Sequence, residues 1–551
     1  MQHLNWIDIT IMVLYVLFIV WYGLSKGKSD SSDDYFLSGR NIAWPIVGIS
    51  LIAANISSNT LIGLAGDAYL RGVGVYNYEW MAAVVLVIFG MFLLPFYLQS
   101  KIYTVPEFLE RRFDARSRYY FSGVTLLLNI VVDTASALFA SGIVLNLIFP
   151  GISMFWWSGI LALAAAAYTI PGGLSSVVHT EAIQGVLLLV CACILSVIVY
   201  QDAGGWQHVL DVMHVKRADV GSDMLSVWQS SSSKNIPWTG MVFGIPILGF
   251  YFWATNQFMV QRMLSAKDLN NGRWGALLAG LLKLPVIFIM VLPGIMALAL
   301  PDNLFDHALA EKVPNNVYPQ LVLNLLPTGL RGLVLAGMIA ALSSHISATM
   351  NSCATLVTMD FVSKWNPSLS NEKLVRYGKI AALIVCILSW IWVPIIFQFK
   401  SLFEYLQLVL SLICPPVVAV FLVGLFWRRA NGQGAFYGLM SGVAMMMYIL
   451  FTNIGLTKPD GYGAFFYIFG SWIHFLNVAP FLLLLTALVT IVVSSMSAPP
   501  DYERIDKYIW TTDVWKKETI QLRGLVWYKN YRVLSVILLI ITAITVGMFI
   551  N

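Results

Sequence analysis

Residues 50–60 read SLIAANISSNT, and Asn55, Ser57, Ser58, Asn59 and Thr60 place five hydrogen-bonding side chains in six consecutive positions. NIAWPIVGI precedes this knot and LIGLAG follows it, both fit for a hydrocarbon environment. At mid-depth in a bilayer an unpaired polar group costs several kcal/mol. A cluster of this kind therefore needs partners. Helix–helix hydrogen bonding would account for one or two such residues. Five in six point to an unwound segment whose freed carbonyls face a cavity and can hold a cation or a solute.

The membrane setting follows from composition. The 551 residues are 58% hydrophobic and only 11% charged, against roughly 25% charged in a soluble domain. Apolar runs of about 20 residues, enough to cross the hydrocarbon core, recur along the chain. We place fourteen spans near residues 4–24, 42–65, 76–98, 119–149, 154–170, 176–202, 236–263, 273–300, 329–363, 374–396, 401–427, 434–453, 475–496 and 531–550, and read the aromatic segment 464–474 as interfacial. With the N-terminus outside, 24 of the 33 lysines and arginines fall on the inner side, eight on the outer, and Lys283 within a span. This bias predicts both termini outside in a multi-pass protein of the cell (inner) membrane, and it accounts for the net charge of +5 without nucleic acid. The first span lacks a basic leader and a cleavage site, so no signal peptide is expected. All five cysteines lie in apolar runs, so neither a disulfide framework nor a metal-ligand spacing is expected.

No gap between spans holds a sizeable soluble domain, so residues 1–551 form a single transmembrane domain. Spans two to six (42–202) and seven to eleven (236–427) read as two repeats of five. An odd unit must enter the membrane from opposite sides. Each repeat opens with a Pro/Trp pair and a helix with a polar interruption, AANISSNT in one and FWATNQ in the other. Paired interrupted helices in an inverted repeat are the signature of alternating access with a midplane site.

A second polar knot, MIAALSSHISATMNS at 338–352, sits inside a long span. Ala341, Ser344 and His345 share one helix face there, offering either hydroxyl ligands to a hard cation or a small-residue packing surface. Intramembrane charges default to function. Glu79, Asp133, Glu181 and Lys283 are such charges, and an ion pair with Asp133 is the structural alternative for Lys283. Glu404 and Gln407 stand three apart, with Glu404 near the rim. Tyr251-Phe252-Trp253 is either packing or a stacking platform for a sugar ring. DDYFLSGR (33–40) and TVPEFLERRFD (104–114) read as surface turns and a short amphipathic helix. No nucleophile–base pair or phosphate loop is present, so no enzyme activity is expected.

DDYFLSGR, SLIAANIS, YEWM, YTVPEFLERRF, GGLSSVV, FWATNQ, NSCATLVTMD and AVFLVGLFWRRA together resemble the sodium/solute symporter family, in its sodium–sugar cotransporter branch, over about residues 8–440. The resemblance implies an all-α membrane fold with a LeuT-like 5+5 inverted-repeat core and sodium-driven solute uptake, with sodium as coupling ion and no cofactor. Carried over by position, the sodium site takes carbonyls of Ala53, Ile56 and Ala341 and the hydroxyl of Ser344. The second hydroxyl falls on His345, whose side-chain type has an intrinsic pKa near neutrality and could alter the coupling. Glu181 stands at the position of a carboxylate linked to ion access. Glu79, Lys283, Gln407 and Trp253 match the branch's sugar contacts. Thr60, Ala82, Gly249 and Phe252 depart from them, and Asp133 adds an acid where an amide is expected. The expected function is import of a sugar or sugar-like solute with sodium. The rivals are sodium- or proton-coupled import of an acid such as a uronate, with Lys283 as counter-charge, and a membrane nutrient sensor.

Overall fold

The computed structural model describes residues 4–27, 31–56, 59–217, 224–233, 235–396, 402–454 and 474–550. Among these residues the chain is helical without strands. Nine of the described helices are long and apolar enough to cross a membrane, and three shorter apolar ones accompany them. The elements used below are α1 (Trp6–Lys26), α2 (Trp44–Asn55), α3 (Asn77–Phe92), α4 (Ala115–Ile148), α5 (Met154–Asp202), α6 (Gly240–Thr255), α7 (Gln257–Leu264), α8 (Leu269–Ala299), α9 (Leu330–Trp365), α10 (Asn371–Ile396) and α11 (Leu402–Phe426). Ser57, Ser58, the side chains of Asn59 and Glu404, and all of 464–474 except His474 lie outside the described residues.

Local chemistry sets the interruptions. Pro45 in the first turn of α2 costs no hydrogen bond, because that N–H would be unpaired anyway. The helix runs to Asn55, and Ile56, at ψ 64°, leaves helical geometry. Helix resumes from Asn59. The second break falls at Asn256, whose extended backbone (ψ 125°) separates α6 from α7 while its side chain accepts a bond from the Phe258 N–H. α4 carries a wide turn over Asn129–Thr134, a local departure that re-aims side chains. α5 bends at Gly173, whose φ of +62° a side chain would resist. A Cβ there would also meet the Tyr35 carbonyl at 2.7 Å.

That contact overturns one expectation. DDYFLSGR is not a surface turn. Its helix, Ser32–Leu37, buries Tyr35, Phe36 and Leu37 almost completely, and the Tyr35 hydroxyl donates to the Ile170 carbonyl at 3.0 Å. The polar residues Asp33 and Asp34 hide an apolar face that period-based reading of so short a helix misses. The short helix in TVPEFLERRFD forms as expected over Val105–Arg112, yet it too is anchored inward. Buried Arg112 donates to the carbonyls of Gly424, Trp427 and Ala430 at 2.7–2.9 Å, satisfying the end of α11.

Beside it, Arg118 of α4 reaches Asp360 of α9 with bonds of 2.6 and 3.0 Å and also pairs with Glu110. Thr104 donates to Asp360 at 2.6 Å, and Ser122 adds another hydrogen bond. Asp360 is fully buried and Arg118 nearly so. Arg118, like Arg262 below, counts among the basic residues expected on the inner side, but each finds its carboxylate partner on another helix and is drawn into the protein. Burial pushes the Glu110 carboxyl up, but Arg118 and Lys364 outweigh it and hold it below the usual carboxylate range.

Arg118→Met would strand the Asp360 carboxylate, and the expected loss is about 3–5 kcal/mol of stability. Thermal unfolding of the purified protein in detergent measures it, and a native melting temperature would contradict the role given to this pair. Glu110 has its pKa lowered by folding, so its contribution is complete above the ordinary carboxylate range and is lost as pH falls through the depressed value. Glu110→Gln should therefore flatten the acid limb of the stability–pH curve.

Candidate functional site

The interruptions of α2, α4 and α6 meet around one internal cavity of about 110 Å³. Asn55, Thr60, Glu79, Asp133, Phe252, Trp253, Lys283 and Gln407, the eight side chains singled out for solute contact, all line it, and so does His345. The chain thus gathers residues from seven helices and the segment after the α2 break into one wall.

Lys283 of α8 is 99% buried and forms an ion pair with Glu79 of α3. Asp133 is not its partner, because α8 packs along α3 and brings Glu79 to it first. The Tyr76 hydroxyl donates to the Leu284 carbonyl at 2.8 Å, and the Asn77 amide to the Val227 carbonyl at 2.8 Å. The first fixes the start of α3 against α8, and the second ties it to the segment 224–233. The ammonium also lies 5.9 Å from the centroid of Trp253, within cation–π range. Lys283 is therefore held by a carboxylate and a ring while facing the cavity.

The aromatic wall continues from Trp253 to Phe252 (5.3 Å), Phe258 (5.6 Å) and His345 (5.2 Å), all edge-to-face. Asp133 sits in the wide turn of α4 beside the Asn256 amide. Both are buried. Thr60 Oγ1 donates to the Asn55 carbonyl at 2.9 Å, satisfying a backbone group where α2 ends. Gln407 is half-buried on α11.

His345 apart, the residues expected at the ion site lie outside this lining. Ala53, Ile56, Ala341, Ser344 and Glu181 are all buried. The Ser344 hydroxyl stands beside Glu181 but completes no hydrogen bond. Gly185 of α5 lets α2 come close, since a Cβ there would lie 2.8 Å from that of Ala53. His345 Nδ1 is 2.8 Å from the Ala54 carbonyl. A carbonyl can only accept, so Nδ1 carries a hydrogen, and in the neutral ring Nε2 is left with its lone pair.

Sequence reasoning missed the partners of Glu181. Ser50 Oγ donates to it at 2.5 Å, and Arg262 Nε reaches it at 2.9 Å and Ser50 at 3.0 Å. Arg262 is 1% exposed. The signal was the spacing, because Arg262 lies six residues beyond the Asn256 break and so stays within the membrane region. Gly249, named as a departure at a sugar-contact position, lines the cavity too, and so do Tyr78, Leu248 and Leu406, which nothing in their local sequence marks.

A multi-helix membrane protein with broken helices meeting at a charged cavity has the build of a transporter rather than an enzyme. The comparisons with known proteins agree. The chain belongs to the sodium:solute symporter family, whose model matches residues 35–442. It is similar to the sodium/glucose cotransporter 4 of Danio rerio, at 34% identity over 94% of this chain and 82% of the relative. It is also similar to the sodium/mannose cotransporter of Bos taurus (33%, 93% and 90%) and to the sodium/myo-inositol cotransporter 2 of Oryctolagus cuniculus (33%, 92% and 79%). Among solved structures it resembles the outward-open state of a Na+-coupled sialic acid symporter, with a TM-score of 0.76 and 21% identity over 90% of this chain and 99% of that one. Mhp1 in a closed conformation follows at 0.52 and 12%, over 87% and 99%. Both likenesses bear out the LeuT-like fold expected from the sequence.

Lys283→Ala removes the charge and leaves Glu79 alone at the cavity wall. Solute affinity should fall by at least roughly tenfold, the loss of one charge-assisted contact, while the protein still elutes as a single folded species. Unchanged equilibrium binding would assign Lys283 to structure alone.

Proposed function

We propose that the chain imports a sugar or sugar-like solute together with sodium by alternating access, with the solute in the central cavity and the ion at the α2 break. The observation that carries this reading is the convergence of eight solute-contact candidates from both interrupted regions on one cavity. The names of the relatives, all sodium-coupled cotransporters of sugars or a polyol, support the same solute class. Residues 42–202 and 236–427 act as the two inverted repeats, placing the breaks at α2 and α6/α7 face to face.

In this reading, carbonyls of Ala53, Ile56 and Ala341 and the Ser344 hydroxyl receive the sodium ion. The hydroxyl left without a partner in a buried setting supports the assignment, because such a group is costly unless something occupies its lone pairs. Hard oxygen donors suit an alkali cation. His345 acts at one remove by holding the Ala54 carbonyl beside the ligating segment. Glu181, tied to Arg262 and Ser50, sets the field behind the ion. Glu79, Lys283 and Gln407 bond the solute hydroxyls, and Trp253 and Phe252 cover the ring. A uronate is less favoured because the Lys283 charge is already met by Glu79. The protein sits in the cell membrane with both termini outside, the orientation that puts 24 basic residues on the inner side.

Proteoliposomes given an inward sodium gradient should accumulate labelled glucose, mannose or myo-inositol, and uptake should vanish with potassium in place of sodium. Accumulation indifferent to the gradient would reject symport. Ser344→Ala should raise the sodium concentration for half-maximal uptake severalfold while leaving solute binding at saturating sodium near native. An unaltered sodium curve would move the ion elsewhere.

A further inference from the structure

Two carboxyl groups and one ammonium line the central cavity. Glu79 and Lys283 neutralise each other. Asp133 is a further carboxylate in the wall, and among the described lining residues Lys283 is the lone cation. The uncharged amide of Asn256 stands beside it. A buried carboxylate without a counter-charge is expensive in the membrane interior.

The polar atoms around Asp133 have the same character. Among the described residues, Asn55 Oδ1 is buried and accepts no hydrogen bond. His345 Nε2 is likewise buried without a hydrogen-bond partner, and the Ala54 carbonyl fixes it as the lone-pair nitrogen. It is turned toward the backbone of Asp133. Two acceptors without donors therefore share one cavity with an uncompensated carboxylate. This array calls for a group that brings both hydrogen-bond donors and one positive charge.

We infer that the cavity selects a solute bearing a primary ammonium group, an aminated sugar, with that group among Asp133, Asn55 Oδ1 and His345 Nε2. An ammonium has three N–H donors, one for each of the three groups. A second sodium ion would meet the charge but suits the imidazole poorly, since hard cations prefer oxygen. The Glu79–Lys283 pair and Gln407 then remain for the hydroxyls. This inference rests on the solute cavity proposed above and narrows its occupant.

The test is calorimetric binding to the purified full-length native protein in saturating sodium, below the amine's pKa, with glucose, glucosamine and N-acetylglucosamine. Glucosamine should bind at least about tenfold more tightly than glucose, the size of one charge-assisted hydrogen bond. N-acetylglucosamine, which keeps the skeleton but loses the charge, should show no such gain. Asp133→Asn should bring the glucosamine-to-glucose ratio toward one. Equal binding of glucose and glucosamine by the native protein would overturn the inference while leaving sugar transport intact. So would a preference that survives Asp133→Asn, or a variant that changes only the sodium dependence and so marks Asp133 as an ion ligand. Binding of none of the three, with no sodium-driven sugar uptake, would overturn the inference and the transport reading together.

Discussion

A backbone that leaves the helix inside a bilayer must find new partners for its N–H and C=O groups, and this requirement organises the protein. The α2 chain departs from helix at Ile56, and the α6/α7 chain at Asn256. Each departure is tolerated because it faces protein rather than lipid. Thr60 returns to the Asn55 carbonyl, His345 takes the Ala54 carbonyl, and Asn256 caps α7. The same departures expose polar atoms to an internal space. Breaks, cavity and function are thus one construction.

Buried ion pairs hold the surrounding helices in place. Glu79–Lys283 ties α3 to α8, Glu181–Arg262 ties α5 to α7, and Asp360–Arg118 ties α9 to α4. Replacing such a pair by apolar residues can be neutral, whereas removing one partner is costly because the other charge stays buried. Each pair therefore resists single substitutions and fixes which helices move together. The Glu79–Lys283 pair differs from the other two in opening onto the cavity, where a solute can compete for its hydrogen bonds.

Much of this was legible in the sequence for a stated reason. Hydrocarbon thickness makes apolar runs visible, and polar residues at depth stand out against them. The breaks at Asn55 and Asn256 and the cavity residues Glu79, Asp133 and Lys283 were found on that contrast. Pairing was not legible. Lys283 meets Glu79, 204 positions away, because α3 and α8 pack together, and no local pattern encodes that choice. Arg118 and Arg262 looked like inner-loop charges, since a count of basic residues cannot tell a loop from a helix end drawn inward by a distant carboxylate. The apolar face of Ser32–Leu37 was hidden by two aspartates in six residues. Leu248 and Leu406, which shape the cavity without polar side-chain atoms, had no contrast to reveal them.

The central claim is that ion and solute occupy coupled sites on the two sides of the α2 break. Coupling is reciprocal, so sodium must change solute affinity by the same factor by which solute changes sodium affinity. Equilibrium binding of glucose to the purified protein at zero and saturating sodium, and of sodium with and without glucose, measures both factors directly. The account predicts equal factors of about five or more in the favourable direction, the lower end of ordinary site-to-site coupling. A glucose affinity that sodium leaves unchanged, with glucose and sodium each still bound, would contradict it.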